Sequence, residues 1–574
     1  MIDANSPVLE EPPPAGAPAP SPLFSQEQLE SHAQALAAAH ILADDPRRSR
    51  PLLPRLDESG LSLEAAYQYL STVARGDPQP VPSEDWLRDN YHVVQDQIRE
   101  VRRDLPRKFY LELPKLADGE YAGYPRVYVI ARQLIAHTAG RLDLDTLIDF
   151  TTAYQRTTPL SIGETWAIPI MLRLGLVEEL RRLVDGVVSA RRSREEARRW
   201  EGTLAGTPGA SPDDLQRLLA AQTRDGGRLS AAFVVELLQW LRDQPPSASP
   251  VWLVLQRALE KQGDLPEALL RLEHQREATD QLAIGNVISS MRLLSSVDWP
   301  LFFDSVSVVE RILMHDPAEA YAQMDFPTRD RYRHSIEQLS KRSGRSELVV
   351  ADAAIALARR ARDAHPEHDR AHHVGYYLTS RGRFTLEAEL RYPPTARERL
   401  ARFLFHHPAI GYLGAIAATT ALGVAALMAY GARQGGTTWD LWVIALIALI
   451  PVSELAISLL NSLLTSQVAP RPLPKLALRG GIAARDRTIV VVPAIIDSSA
   501  RIEALFHDLE VRFLANRDPH LHFALLTDFA DASEQVTEGD EALVDEARRR
   551  VDELNARHGA DRFYLFHRER RWNR

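Results

Sequence analysis

The chain contains no cysteine among its 574 residues. This absence excludes disulfide bonds, thiolate metal sites and a cysteine nucleophile, and it fits a reducing compartment. A strong charge of one sign is also missing, because 68 Lys and Arg stand against 77 Asp and Glu and the formal net charge is -9. That charge is modest for the length and gives no sign of nucleic-acid binding.

A secretory signal peptide is not evident at the N-terminus. Residues 1–24 have no basic start and no apolar stretch, and they are rich in proline. This composition predicts a disordered tail. The remaining length is too great for one ordinary core and predicts several domains.

Residues 25–399 predict an all-helical domain, because apolar residues recur there at three- and four-residue spacing. Asp143 is expected to cap one helix, and Gly140 to end the helix before it. Around Pro169 the pattern fits either a pair of helices or one kinked helix. The region shows no metal or nucleophile arrangement, so its sequence assigns it no chemistry.

Two long apolar runs follow, at residues 410–432 and 441–464. Each is long enough to cross a hydrocarbon layer of about 30 Å at about 1.5 Å per residue. A short turn joins them, which predicts a transmembrane hairpin. Basic residues flank its outer ends, whereas the turn holds only Arg433, so both termini are expected in the cytoplasm.

The second apolar run carries three polar residues on one helical face: Glu454, Ser458 and Asn461. A carboxylate in the middle of a membrane costs about 2.5–3.5 kcal/mol on insertion scales, so this stripe is not expected to face lipid. It fits either a polar seam against another membrane helix or the lining of a path for something polar. Either interpretation implies partner helices.

Past a linker at residues 465–486, the pattern changes. Residues 487–574 alternate β-branched strand runs with helices. Continuous apolar strands of this kind are typical of parallel strands buried on both faces, so the start of a doubly wound α/β domain is predicted.

Two carboxylates stand at the end of one predicted strand, in "HFALLTDFADA". Ligands of such sheets bind beyond the carboxyl ends of the strands, which favours a ligand site at Asp528 and Asp531. The alternative is structural, because Asp is also a common turn residue and helix N-cap. The spacing by itself leaves both interpretations open.

Several segments are distinctive, among them "PVSELAISLLNSLL" in the second apolar run, "LLTDFADA" and "FYLFHRERRWN". Together they resemble the cyclic β-1,2-glucan synthases, and the resemblance runs from about Tyr91 to the C-terminus. It implies a multi-pass protein of the bacterial inner membrane that polymerises glucose from UDP-glucose on the cytoplasmic side. A GT-A-like glycosyltransferase domain would begin at residue 487.

The resemblance also implies site residues. Asp528 would contact the nucleotide, with Asp531 as a weaker candidate beside it. The same UDP-glucose pocket would be lined by the loop after the first strand, which includes Pro493, Asp497 and Ser498. Tyr564 is a possible glucan acceptor, although a packed strand tyrosine explains it as well.

A transferase of this class needs Mg²⁺ or Mn²⁺ held by an Asp-x-Asp and a later carboxylate as base, and processive members also use a Gln-x-x-Arg-Trp segment. None of these follows the last predicted strand. The chain is therefore expected to be an N-terminal portion of a synthase, inactive alone. Its partners would be UDP-glucose, the lipid bilayer and the remaining synthase domains or membrane helices. The alternative is a membrane-anchored helical interaction protein without catalysis.

Overall fold

A computed structural model of the protein describes residues 22–45, 49–73, 82–206, 229–242, 249–262, 265–367, 369–467, 472–478 and 480–571. Two compact units are each assembled from three segments of the chain. The first unit comprises Met1–His315, Arg333–Leu357 and Phe384–Tyr392, and the second comprises Asp316–Tyr332, Ala358–Arg383 and Pro393–Arg574. The region predicted as one helical domain therefore contributes to both units.

The chain is mostly helical and ends in a small parallel sheet, as predicted. The helices before the sheet are α1 (Gln26–Ala39), α2 (Leu53–Val73), α3 (Pro82–Asp104), α4 (Arg107–Glu112), α5 (Arg126–His137), α6 (Leu144–Thr157), α7 (Ile162–Gly206), α8 (Ala231–Arg242), α9 (Ser249–Gln262), α10 (Pro266–Ser296), α11 (Trp299–Val306), α12 (Val308–Leu313), α13 (Phe326–Ser343), α14 (Glu347–Ala364), α15 (Val374–Thr379), α16 (Arg383–Glu389), α17 (Ala396–His406), α18 (Pro408–Arg433) and α19 (Thr438–Gln467). They are followed by β1 (Thr488–Ile496), α20 (Ser499–Ala515), β2 (Leu521–Phe529), α21 (Asp540–His558) and β3 (Phe563–Arg568).

Helix α7 is the element against which most of the first unit packs. It contacts α2, α3, α5, α8 and α10. The helix runs through 45 residues with Pro169 inside it, so the single-helix interpretation is the one that the structure adopts. Met171, Leu174 and Val177 along it are fully buried. The three- and four-residue spacing of the apolar side chains places them on the faces that these neighbours cover.

The first unit also buries charged groups in pairs. Arg126 Nη2 donates to Glu164 Oε2 at 2.7 Å, and the two side chains are only 4% and 0% exposed. Arg333 Nη1 pairs with Glu310 Oε2 in the same way, at 2.7 Å. An unpaired charge would be costly at such sites, so each pair fixes the two elements that carry it.

The predicted helix boundaries near residue 140 are confirmed. Asp143 caps α6, because its Oδ1 accepts a hydrogen bond from the Thr146 backbone N–H at 2.8 Å. Gly140 follows the end of α5 with a positive φ of 72°. A Cβ at this position would lie 2.5 Å from Val287 Cγ2, so both the backbone and the packing require glycine.

The predicted disordered tail lies outside the described residues except for its last three. His137 Nδ1 is 2.9 Å from the Pro22 carbonyl oxygen. The Phe24 ring stacks on the His137 imidazole with 3.9 Å between ring centroids. Residues 22–24, which were predicted to belong to the tail, thus pack against α5, and His137 has a packing role.

Helices α18 and α19 are both long and apolar enough to cross a membrane, and they cover the two predicted spans. In the most apolar 18-residue segment of each helix only 6% and 11% of the residues are buried, unlike in the core helices of the first unit. The two helices pack on one another. A Cβ added at Gly423 of α18 would meet Val452 Cγ1 of α19 at 2.6 Å, so this glycine permits close approach.

The linker that precedes the sheet is hydrogen-bonded to another segment of the second unit. The Asp325 N–H donates to the Lys475 carbonyl at 2.9 Å, and the Ala477 N–H donates to the Gln323 carbonyl at 2.8 Å. Met324 and Leu476 form an antiparallel bridge between these bonds. The linker is therefore docked at residues 475–477 through an isolated β-bridge, which the Pro- and Gly-rich sequence around them did not predict.

The sheet is parallel throughout, with the strand order β1-β2-β3. Alternate strand residues, among them Phe523 and Phe563, form one core with Ile502, Phe506 and Val551 of the two helices. The opposite face carries apolar side chains that are 40–60% exposed: Ile489, Val491, Ile495, Leu526 and Phe566. Helices α20 and α21 thus cover one face only.

The predicted burial of both strand faces is therefore not found in the described strands, and the doubly wound arrangement of the whole domain stays a prediction. Successive right-handed crossovers in one direction along a sheet place their helices on the same side. A doubly wound sheet requires the strand order to reverse, and the order β1-β2-β3 contains no reversal.

Candidate functional site

The carboxyl ends of the three strands lie at one edge of the sheet, because all three run in parallel. β1 ends at Ile496, β2 at Phe529 and β3 at Arg568. Residues that follow these ends come together at this edge, here called the strand edge. It contains four of the five residues that the sequence assigned to the UDP-glucose pocket: Asp497, Ser498, Asp528 and Asp531.

Asp528 is the penultimate residue of β2 and stands opposite Arg568 of β3. The Arg568 guanidinium donates to Oδ1 through Nε at 2.9 Å and to Oδ2 through Nη2. The Asp528 side chain is 37% exposed, so solvent still reaches the carboxylate. Asp528 is not a helix cap, because the next helix begins at Asp540 after Gly539 in the N-cap position.

The other predicted pocket residues are placed less uniformly. Asp531 is exposed in the loop after β2, and Asp497 and Ser498 are exposed just after β1. Ser498 Oγ donates to Asp497 Oδ1 at 2.8 Å. Pro493 lies inside β1 opposite Leu526, so it belongs to the exposed sheet face and not to the loop.

Tyr564 lies near the opposite end of its strand. It is opposite Ala524, whereas Arg568 is opposite Asp528. At about 3.3 Å per residue the Tyr564 backbone is about 13 Å from that of Arg568. The Tyr564 hydroxyl donates to the Asp561 carbonyl at 3.1 Å. The structure does not bring Tyr564 together with the strand edge.

Two arginines at the strand edge were missed as functional candidates. Arg568 forks onto Asp528, and Arg570 pairs with Asp540 through Nη1 to Oδ2 at 2.8 Å. Arg570 lowers the pKa of the Asp540 carboxyl to about 2. The signal was present in "FHRERRW", where alternate arginines stand at the carboxyl end of an apolar strand, which is where parallel sheets of this kind generally bind ligands.

The polar stripe of α19 is only partly engaged within the hairpin. Asn461 Oδ1 accepts a hydrogen bond from the Tyr412 hydroxyl of α18 at 2.9 Å. Glu454 and Ser458 are exposed on α19. The stripe therefore contacts α18 at Asn461, while Glu454 at its other end is exposed.

The described residues contain no group of three or more His, Asp or Glu side chains that could hold a metal ion. Asp528 is engaged by an arginine, and Asp531 is the only other carboxylate on the first turn of the loop after β2. These residues do not form a metal site, so no metal ligand is assigned to this part of the chain.

Sequence comparison relates this chain to an enzyme class that builds cyclic glucans. The chain is 32% identical over 499 residues to the "Cyclic beta-(1,2)-glucan synthase NdvB" of Rhizobium meliloti (strain 1021). The match covers 86% of the chain and 17% of that protein, so the chain corresponds to a minor part of the synthase's length. The resemblance seen in the sequence is thereby confirmed. No protein-family model matches the chain.

Proposed function

We propose that this chain is the membrane-anchored part of a glucosyltransferase that begins the UDP-glucose pocket of a β-1,2-glucan synthase. The observation that carries the proposal is the exposed Asp528–Arg568 pair at the carboxyl edge of a parallel sheet. Ligands of such sheets bind beyond that edge. The similarity over 86% of the chain to a glucan synthase supplies the enzyme class.

The chemistry of the pair suits a sugar nucleotide. Arg568 uses Nε and Nη2 to hold Asp528 and is itself 76% exposed. The fixed carboxylate keeps outward lone pairs that accept hydrogen bonds from ribose hydroxyls or a uracil N–H. A guanidinium beside it compensates negative charge on a diphosphate. Binding and orientation are the roles assigned to these residues.

Catalysis is proposed for the complete synthase and not for this chain alone. The chain corresponds to 17% of the length of the related enzyme, and its described residues offer no metal site. The complete enzyme is expected to use Mg²⁺ or Mn²⁺ with ligands outside the residues discussed here. Membranes that contain only this chain should form no glucan from labelled UDP-glucose, and robust synthesis would refute this point.

The nucleotide site is tested by titrating UDP into the purified chain in lipid nanodiscs. Asp528→Ala should weaken UDP affinity by about tenfold or more, because it removes a ligand and also the carboxylate that holds Arg568 in position. The control is Asp545→Ala, which removes an exposed carboxylate paired with Arg548 at 3.0 Å on α21. Equal affinities for wild type and Asp528→Ala would contradict the site. No UDP binding at all would favour the membrane-anchored interaction protein.

The membrane topology is proposed with the termini in the cytoplasm and the short turn outside. The absence of cysteine provides a clean background for labelling with a maleimide that does not cross membranes. Gln434→Cys in the turn should react in intact cells, whereas Glu538→Cys in the loop after β2 should react only after lysis. The reverse pattern would invert the orientation, and labelling of both in intact cells would exclude a membrane hairpin.

A further inference from the structure

The loop between β2 and α21, residues 530–539, carries Asp531 and has no regular secondary structure. Most of its residues are exposed, so its own packing does little to fix its path. A loop that presents a ligand-binding residue needs an anchor, because ordering it on binding would reduce affinity. The anchor is visible in the hydrogen bonds of one side chain, Arg570.

The Arg570 guanidinium contacts the loop at its start, middle and end. Nε donates to the Ala530 carbonyl at 2.8 Å, and Nη1 donates to the Gln535 carbonyl at 3.3 Å. The same group pairs with Asp540 at the start of α21, with Nη1–Oδ2 at 2.8 Å and Nη2–Oδ1 at 3.2 Å. The Arg570 side chain is only 12% exposed.

Two further contacts hold this arrangement in place. The guanidinium carbon lies 5.0 Å from the centroid of the Phe529 ring at the end of β2. Asp540 also binds Thr537, whose backbone N–H donates to Oδ2 at 2.7 Å and whose hydroxyl donates to Oδ1 at 2.8 Å. The planar guanidinium can donate hydrogen bonds to two carbonyls and a carboxylate at the same time. A lysine ammonium cannot reproduce that geometry.

We propose that Arg570 is a positioning residue for nucleotide binding, which fixes the loop after β2 so that Asp531 is presented at the strand edge near Asp528. The proposal rests on the proposed function, because it assigns to Arg570 a role in binding a nucleoside diphosphate. Arg570 acts through the loop and needs no contact with the ligand.

The first test measures UDP affinity of the full chain in nanodiscs for Arg570→Lys. This variant keeps the charge beside Asp540 and loses the fork to Ala530 and Gln535. The affinity should fall by about tenfold, as is usual when a supporting partner of a ligand-binding group is removed. The matched control is Arg550→Lys on α21, whose guanidinium makes a single exposed contact with Glu553 at 3.1 Å. Its affinity should equal that of the wild type.

The second test separates positioning from general stability by a double-mutant cycle with Asp531→Asn. If Arg570 acts through the loop, Asp531→Asn should weaken UDP binding in the wild type and have little further effect in Arg570→Lys. Additive losses, or an unchanged affinity in Arg570→Lys, would overturn the inference. A normal effect of Asp528→Ala with no effect of Arg570→Lys would retain the proposed function and reject only Arg570. Absence of UDP binding in the wild type would reject both.

Discussion

Two helices, one starting in each compact unit, begin with a carboxylate whose acidity is shifted in opposite directions. Glu347 starts α14 in the first unit and accepts a hydrogen bond from the Ile162 N–H at 2.7 Å, yet its burial raises its pKa to about 7. Asp540 starts α21 in the second unit, and its hydrogen bonds from Arg570 and Thr537 lower its pKa to about 2. Both residues occupy the position where a helix favours negative charge.

The contrast teaches that the helix terminus is not what decides the acidity here. Glu347 lies among other carboxylates, Glu337 and Glu164, and its nearby cation Lys341 is already bound to Glu337 at 2.7 Å and to Glu112 at 2.6 Å. Burial without a counter-ion of its own favours the neutral acid. Asp540 has Arg570 as a direct partner, so its ionised form is favoured instead.

The largest expected effect comes from the buried pair beside Glu347. Glu164→Gln leaves Arg126 buried without a counter-charge and should destabilise the first unit by about 3–5 kcal/mol. It should also lower the pKa of Glu347, because Glu164 is one of the charges that raise it. Thermal unfolding of the full chain, with proteolysis to locate the unfolded segment, measures the loss.

The control for this change is the double variant Arg126→Met with Glu164→Met, which removes both charges. It should recover most of the lost stability, because a buried pair can often be replaced by apolar side chains of similar volume. If the double variant is as unstable as Glu164→Gln, packing and not the unpaired charge explains the effect.

Glu347→Gln should change how the stability of the first unit depends on pH. The folded pKa of Glu347, about 7, lies above its ordinary value of 4.5, so the folded state binds this proton more tightly than the unfolded state does. The stabilisation is complete below pH 4.5 and is lost as the pH rises to 7, by at most about 3 kcal/mol. Between pH 4.5 and 7 the melting temperature should change less with pH in Glu347→Gln than in the wild type. Equal slopes of melting temperature against pH would contradict the assignment.

Asp540→Asn should give a smaller loss with the opposite sign of pH dependence. The folded pKa of about 2 lies below the ordinary value of 3.8, so the stabilisation is complete above pH 3.8 and is lost as the pH falls through 2. Between pH 5 and 7 the difference in melting temperature between wild type and variant should therefore be constant. A difference that grows across this range would mean that Asp540 is not the paired group.

The smallest effect is expected at an exposed pair of the second unit. Asp545 and Arg548 on α21 are 59% and 66% exposed and lie 3.0 Å apart. Asp545→Asn should change the free energy of unfolding by no more than about 0.5 kcal/mol at any pH. A larger loss would show that exposure is a poor guide to the value of these pairs.

Local patterns were predicted well wherever the cause is local. The helix cap at Asp143 and the glycine at position 140 follow from backbone chemistry within a few residues. The two apolar helices follow from two long runs of apolar side chains with almost no charged residue in them. The parallel strands follow from β-branched runs separated by helices. The resemblance to the glucan synthases also depended on contiguous sequence segments, and a comparison of sequences detects such segments directly.

Pairing across long stretches of chain was not predicted. Nothing near Asp528 in sequence indicates Arg568 as its partner, because β3 meets β2 only after the helix α21 has crossed between them. The docked linker at residues 475–477 was missed for the same reason, since its partners Gln323 and Asp325 precede the apolar helices. Pro493 was assigned to a loop because register decides how far a strand extends.

By itself, the sequence determined the order and kind of elements in this protein, and it predicted a ligand site at an aspartate near the end of a strand. The periodicity of apolar residues, the helix caps and the length of apolar runs are properties of neighbouring residues, so they can be predicted from the sequence alone. Only the tertiary structure decided that both helices cover one face of the sheet and that Arg568 and Arg570 organise the strand edge. Those outcomes depend on strand order and register, which are set by contacts between residues that are distant in the chain.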